Sequence, residues 1–174
     1  MVLCTRRVMI VEEFSNKYKV RLLTCDDINE IYELERKNTL YYEFCPPFVT
    51  RQSILEDMEA LPPGKSKDDK YYIGFFQEGR LVAVMDFIDG FPEKKIAFIG
   101  FFMVDVSFQK KRIGTEIVDD LCSYLRNLGY SSLRLAWVKG NPQSEGFWLK
   151  NSFRIIKETK SNFAETAILA ERIL

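Results

Sequence analysis

The chain of 174 residues contains no histidine. That excludes every catalytic arrangement that turns on an imidazole and removes the commonest side-chain metal ligand. Cysteine is sparse: Cys4, Cys25, Cys45 and Cys122 show no Cys-x-x-Cys spacing, which argues against a zinc site and fits free thiols in a cytoplasmic protein. A net charge is also missing, with 25 Lys and Arg against 25 Asp and Glu, so the balance points to neither nucleic acid nor an anionic membrane. No apolar run approaches the roughly 18 residues of a membrane-spanning helix, and the stretch after Arg6-Arg7 is too short for a signal peptide. Repeats, low-complexity segments and linkers are lacking too, which leaves one domain.

What the chain does have is core material: 47% of its residues are hydrophobic and 14% aromatic. Residues 1–17 read as an N-terminal extension or extra strand, with Val8–Val11 either a short strand or part of a leader. Residues 18–174 read as a single domain. Tyr18–Leu23 alternates as a first strand should, and Thr24 with Asp27 forms a capping-box pattern before a helix carrying Ile28, Ile31 and Tyr32. Tyr41–Pro47 reads as an aromatic loop. Thr50 then caps a second helix bearing Ile54, Leu55, Met58 and Leu61, stopped by Pro62-Pro63-Gly64. After a polar turn at Lys65–Lys70, Tyr71–Phe76 and Leu81–Ile88 form a hairpin through Gln77-Glu78-Gly79-Arg80. Phe153–Thr159 and Phe163–Leu174 are expected as the last two strands, with a turn at Lys160-Ser161-Asn162.

The most informative stretch is Ile96–Gly129. Ile96–Val104 is apolar almost throughout and predicts a strand buried on both faces, because a half-buried strand would alternate. A cationic loop, Gln109-Lys110-Lys111-Arg112-Ile113-Gly114-Thr115, follows. Beyond it Ile113, Ile117, Leu121, Tyr124, Leu125 and Leu128 recur at helical spacing, and Gly129 ends the run. The first turn of a helix has backbone N–H groups without partners and a positive dipole end, so this loop can seat a phosphate or serve as a plain basic turn. A nucleotide loop of the Gly-x-x-x-x-Gly-Lys-Ser/Thr form is absent.

Val104-Asp105-Val106 followed by Gln109-x-x-Arg112-Ile113-Gly114 resembles the acyl-CoA signature of GCN5-related N-acetyltransferases, Gln/Arg-x-x-Gly-x-Gly/Ala. Asn141-x-x-Ser144-x-x-Phe147-Trp148-x-Lys150-x-Ser152-Phe153 resembles the last motif of the same family. The resemblance implies an α/β (α+β) acyltransferase fold: a central mixed, mostly antiparallel sheet of six to seven strands flanked by four helices. It implies acetyl-CoA as cofactor, held by Val104, Asp105, Val106, Gln109, Lys110, Lys111, Arg112, Ile113, Gly114, Thr115, Asn141, Ser144, Phe147 and Trp148. It also implies an amine acceptor, small molecule or peptide, and a monomer or homodimer. Two departures stand out. Arg112 replaces the first glycine of the loop, and Trp148 stands where relatives often have the tyrosine that protonates the leaving thiolate.

Transfer of an acetyl group to an amine needs an unprotonated amine, a polarised carbonyl and a proton for the thiolate. Indole cannot titrate near neutral pH, so Trp148 leaves three possibilities: another tyrosine, water, or an acyl-CoA sensor without efficient transfer. Asp86 and Asp105 are the candidate bases, since burial in apolar strands raises a carboxyl pKa; an Asp at a strand end is more commonly a turn residue. Tyr41, Tyr42, Glu43 and Asp86, with Phe44, Phe87 and Phe91, are the expected acceptor surroundings. No metal is expected.

Overall fold

A computed structural model describes residues 9–160 and 166–174. Among them the chain forms seven strands: β1 Lys19–Leu22, β2 Lys70–Gln77, β3 Arg80–Ile88, β4 Ile96–Val104, β5 Ser132–Val138, β6 Arg154–Thr159 and β7 Ala167–Ile173. The helices are α1 Ile28–Glu35, α2 Thr39–Phe44, α3 Arg51–Glu59, α4 Ile113–Asn127 and α5 Pro142–Lys150. One sheet holds all seven strands in the order β1-β2-β3-β4-β5-β7-β6, antiparallel except between β4 and β5.

Local chemistry sets most of the boundaries. Thr24 and Asp27 close the expected capping box, which starts a 3₁₀ turn that runs on into α1. Thr50 and Ser53 exchange side-chain and backbone bonds at the start of α3. In the β2–β3 hairpin Glu78 and Gly79 both have positive φ, 50° and 78°, the geometry that matches the twist of the flanking strands. Ile117, Val118, Leu121 and Leu125 of α4 bury one face of the sheet with Phe75, Phe87, Ile99 and Leu133, while Ile31, Leu34 and Ile54 of α1 and α3 cover the other at Tyr72, Val84 and Met103. Each such side chain contributes about 1.5–3 kcal/mol by leaving water.

Three expectations need correction. Tyr41–Pro47 is not simply a loop, because Thr39–Phe44 turns into α2. Its rings supply the reason: Tyr42 lies on Phe48 at 4.9 Å and Tyr41 on Phe101 at 5.6 Å, so packing forms a helix that lacks a side-chain cap. In the N-terminal stretch Val11–Phe14 forms a 3₁₀ turn rather than a strand, and Phe14 buries its ring against Phe87; Val8 lies outside the described residues. The third correction concerns β4. Its apolar run is buried on one face only in part, since Phe98, Phe101, Phe102 and Val104 are half-buried and Gly100 is exposed. The expected turn at Ser161-Asn162 and the start of the last strand at Phe163 also lie outside the described residues.

What exposes β4 is a break in the sheet. The parallel pairing of β4 and β5 covers only Ile96–Ile99 with Ser132–Leu135. Beyond it β4 stays with β3 and β5 stays with β7, so the strands diverge. A bulge begins the divergence: Phe87 pairs with Ile99 and Asp86 with Phe101, leaving Gly100 as the extra residue.

Candidate active site

The diverging strands enclose a cleft of about 630 Å³. Its walls are Phe98–Val104 of β4 and Leu135–Val138 of β5, with the cationic loop at one end, α5 along one side, and Asn38, Tyr41 and Cys45 on another. Of the residues expected to hold a cofactor, Val104, Gln109, Lys110, Arg112, Ile113, Gly114, Thr115, Asn141, Ser144, Phe147 and Trp148 all line it. Asp105, Val106 and Lys111 do not. Val106 is exposed, and the Lys111 ammonium sits 5.6 Å from the centre of the Phe108 ring.

The loop is built to present backbone N–H groups. Lys110 and Arg112 both take positive φ, 59° and 66°, and Arg112 is the residue before the first turn of α4. This explains the glycine of the related motif: the position needs left-handed backbone, which an L residue adopts at a cost of about 1–2 kcal/mol. The first helical bond runs from Glu116 N–H to the Arg112 carbonyl, 2.9 Å, so the amides of Ile113, Gly114 and Thr115 precede it and are available to an anion. Gly114, which lines the cleft, also meets a packing need. A Cβ there would meet the Phe147 ring at 3.0 Å and Val104 at 3.4 Å, so the glycine lets α4 pack on α5 and β4.

Gln109 braces this end of the cleft. Its Nε2 donates to Asn38 Oδ1 at 2.6 Å and to the Val104 carbonyl at 3.0 Å. Asn141 caps α5, its Oδ1 accepting from Gln143 N–H at 3.1 Å and Ser144 N–H at 3.2 Å, with Pro142 opening the helix. Only its NH₂ group is left to donate into the cleft. Trp148 is buried among Phe102, Phe147 and Phe153.

The two candidate bases separate clearly. Asp105 is buried and caps the turn after β4, accepting from Ser107 N–H at 2.8 Å and Ser107 Oγ at 2.6 Å, with Lys37 at 3.4 Å. Burial pushes its pKa up, but the Ser107 and Lys37 contacts prevail and hold it below the ordinary carboxylate range. It is a structural anion outside the cleft. Asp86 instead lies directly under the cleft floor, where a Cβ on Gly100 would come within 2.8 Å of its Oδ2. That oxygen accepts from Lys70 Nζ at 2.7 Å, while Oδ1 is buried without a partner. Burial raises the Asp86 pKa and Lys70 opposes the rise.

Around the expected acceptor, Tyr41 lines the cleft, whereas Tyr42 and Glu43 do not, and Glu43 is exposed on α2. Phe87 belongs to the core with Phe14 and Tyr71, and Phe91 stacks edge-on against Phe98. Sequence reading missed Asn38, Cys45 and Lys70. It also missed Glu35, although Ile31, Leu34 and Glu35 lie on one side of α1 and are buried.

Together these features define a class: a cleft that fits a long ligand, with partner-free amides at a helix start suited to an anionic head and room for an arm between two splayed strands. The acetyltransferase (GNAT) family model matches residues 28–153, and the chain belongs to that family, with acetyl-CoA as its cosubstrate. Solved structures agree on the fold. An acetyltransferase from Thermus thermophilus superposes with a TM-score of 0.76 at 17% identity, over 91% of this chain and 97% of that one. RimL, the ribosomal L7/L12 alpha-N-protein acetyltransferase, gives 0.72 at 17% identity over 97% and 96%. The PaiA N-acetyltransferase of Thermoplasma acidophilum, solved with coenzyme A, gives 0.66 at 16% identity over 90% and 99%. No curated protein matches by sequence. Among the described residues no helix is long and apolar enough to cross a membrane.

Proposed function

We propose that the protein transfers the acetyl group of acetyl-CoA to a primary amine of a small molecule or peptide, by direct attack within a ternary complex. The observation that carries this reading is the meeting of Gly100 and Asp86. The bulge leaves the cleft floor without a side chain next to a buried carboxylate, whose Oδ2 lies against Gly100 and accepts from Lys70 while Oδ1 has no partner. Asp86 accepts a proton from the incoming ammonium; the amine attacks the thioester carbonyl, the C–N bond forms, the C–S bond breaks with its electron pair going to sulfur, and the second nitrogen proton passes through water to the thiolate, leaving amide and free thiol. The first-turn amides of α4, with Lys110 and Arg112, hold the phosphates, and Asn141 donates to the cofactor arm. The setting is a reducing compartment such as the cytoplasm, where a thiol like Cys45 at the cleft stays free.

The test is thiol release from acetyl-CoA with four amines: tyramine, spermidine, lysine and an alanine-leading tetrapeptide. The last is included because RimL, similar in fold, is named for an alpha-N-terminal acceptor. Release with at least one amine is expected, and Asp86→Asn lowers kcat/KM by about 10²-fold, the scale of a lost general base. Binding of acetyl-CoA without release from a broad panel would replace transfer with acyl-CoA sensing.

A further inference from the structure

Glu35 is the last residue of α1 and only 3% exposed, yet among the described residues no cation stands against it. Its two oxygens are taken by two phenols from different elements. Tyr42 of α2 donates to Oε2 at 3.0 Å, and Tyr72 of β2 donates to Oε1 at 3.4 Å. Tyr42 in turn holds Tyr41, whose ring stands 5.1 Å away and edge-on, and Tyr41 rests on Phe101 of the central strand while lining the cleft. A buried carboxylate without a cation is costly, and a leucine here would complete the apolar stripe of Ile28 and Ile31. The ionised carboxylate accepts from both phenols as strong, charge-assisted bonds, whereas the protonated acid has only neutral, weaker bonds to offer them.

We propose that Glu35 is a positioning residue for the amine acceptor: its carboxylate ties α2 to β2 and so fixes Tyr41 as the wall of the cleft. The inference rests on the transferase reading and names a residue that neither the cleft lining nor the sequence motifs contain. The groups facing Glu35 are Tyr42 from α2, Tyr72 from β2 and Asp57 from α3, whose negative charge discourages ionisation. Burial is the largest influence and raises the Glu35 pKa; the Tyr42 and Tyr72 hydrogen bonds oppose it, Asp57 adds to it, and the net result is a pKa of about 7. The tie is therefore full above neutral pH and weakened below it.

The test compares wild type with Glu35→Leu, which has the apolar side chain of the stripe and no acceptor for either phenol, by hydrogen exchange of the α2 amides at pH 6 and pH 8, corrected for intrinsic rates and with no ligand present. Wild-type protection of residues 39–45 rises severalfold from pH 6 to pH 8; the variant stays at the lower level at both. Global stability at pH 8 moves the other way, upward in the variant, which separates a positioning role from a merely structural one. With the best acceptor among the four amines, the variant raises KM for that amine about fivefold or more and leaves KM for acetyl-CoA within twofold. Tyr42→Phe, which keeps the charge, reproduces the loss of α2 protection. Equal α2 protection in both proteins at pH 8 overturns the proposal. Absence of thiol release by wild type overturns the transferase reading instead, and Glu35 is then judged on the exchange alone.

Discussion

A thiolate leaving a thioester needs a proton, and at Trp148 the cleft offers an indole that cannot lose one near neutral pH. Trp148→Tyr puts a phenol at that place. We expect steady-state thiol release to rise severalfold, while the smaller ring among Phe102, Phe147 and Phe153 costs about 1–2 kcal/mol in urea unfolding. An unchanged kcat would assign proton return to water or another group. Glu35 shows the opposite economy. Its folded pKa of about 7 stands above the ordinary 4.5, so the native state binds the extra proton between those values and loses stability as pH rises through them. The shift corresponds to roughly 3 kcal/mol by pH 8. Chemical denaturation at pH 5 and pH 8 should show this slope in wild type and lose it in Glu35→Gln. Single residues were legible in sequence where a motif names them, as at Gln109, Gly114 and Asn141. Glu35 was hidden because a charged residue on a helix normally marks the solvent face.

At the level of elements, α4 and β4 were readable because each carries a long, regular signal: a stripe at helical spacing and an apolar run nine residues long. Helix α2 was not, since its six residues have no cap and owe their shape to Phe101 and Phe48, which lie elsewhere in the chain. The apolar run of β4 was located correctly and interpreted too simply. A strand that packs on core layers on both faces but whose edge opens onto an apolar cleft looks, in sequence, like a strand fully buried in a sheet. The bulge gives β4 its functional geometry, and Gly100→Ala tests it. The new Cβ falls 2.8 Å from Asp86 Oδ2, so the carboxylate or the strand must shift at a cost of about 1–3 kcal/mol. We expect kcat/KM for the amine to fall by more than tenfold while acetyl-CoA affinity, measured by calorimetry, changes little. A matching loss of acetyl-CoA affinity would place the effect in the arm of the cleft rather than under its floor.

For the whole molecule, the cleft joins parts far apart in sequence: Asn38, Tyr41 and Cys45 in and beside α2, the central strand and loop near residue 100, and α5 near residue 145. Acetyl-CoA that bridges them binds the folded state alone and stabilises it by mass action. At about 100 times Kd this amounts to roughly 2.7 kcal/mol, or a rise in Tm of about 5–10 °C for a chain of this size. ATP at the same concentration should give a much smaller rise, because it shares the phosphates and lacks the arm; equal shifts would reduce the site to its anion loop.

That arm meets an unusual piece of architecture. Past Ile99 and Leu135 the sheet is unstitched, and the protein is two leaves, β1 to β4 and β5 with β7 and β6, seamed by four residue pairs. Each leaf turns toward the gap a row of backbone groups that the other leaf does not pair. The fold has in effect left out a strand and kept its place open for a cosubstrate whose arm carries amides of its own.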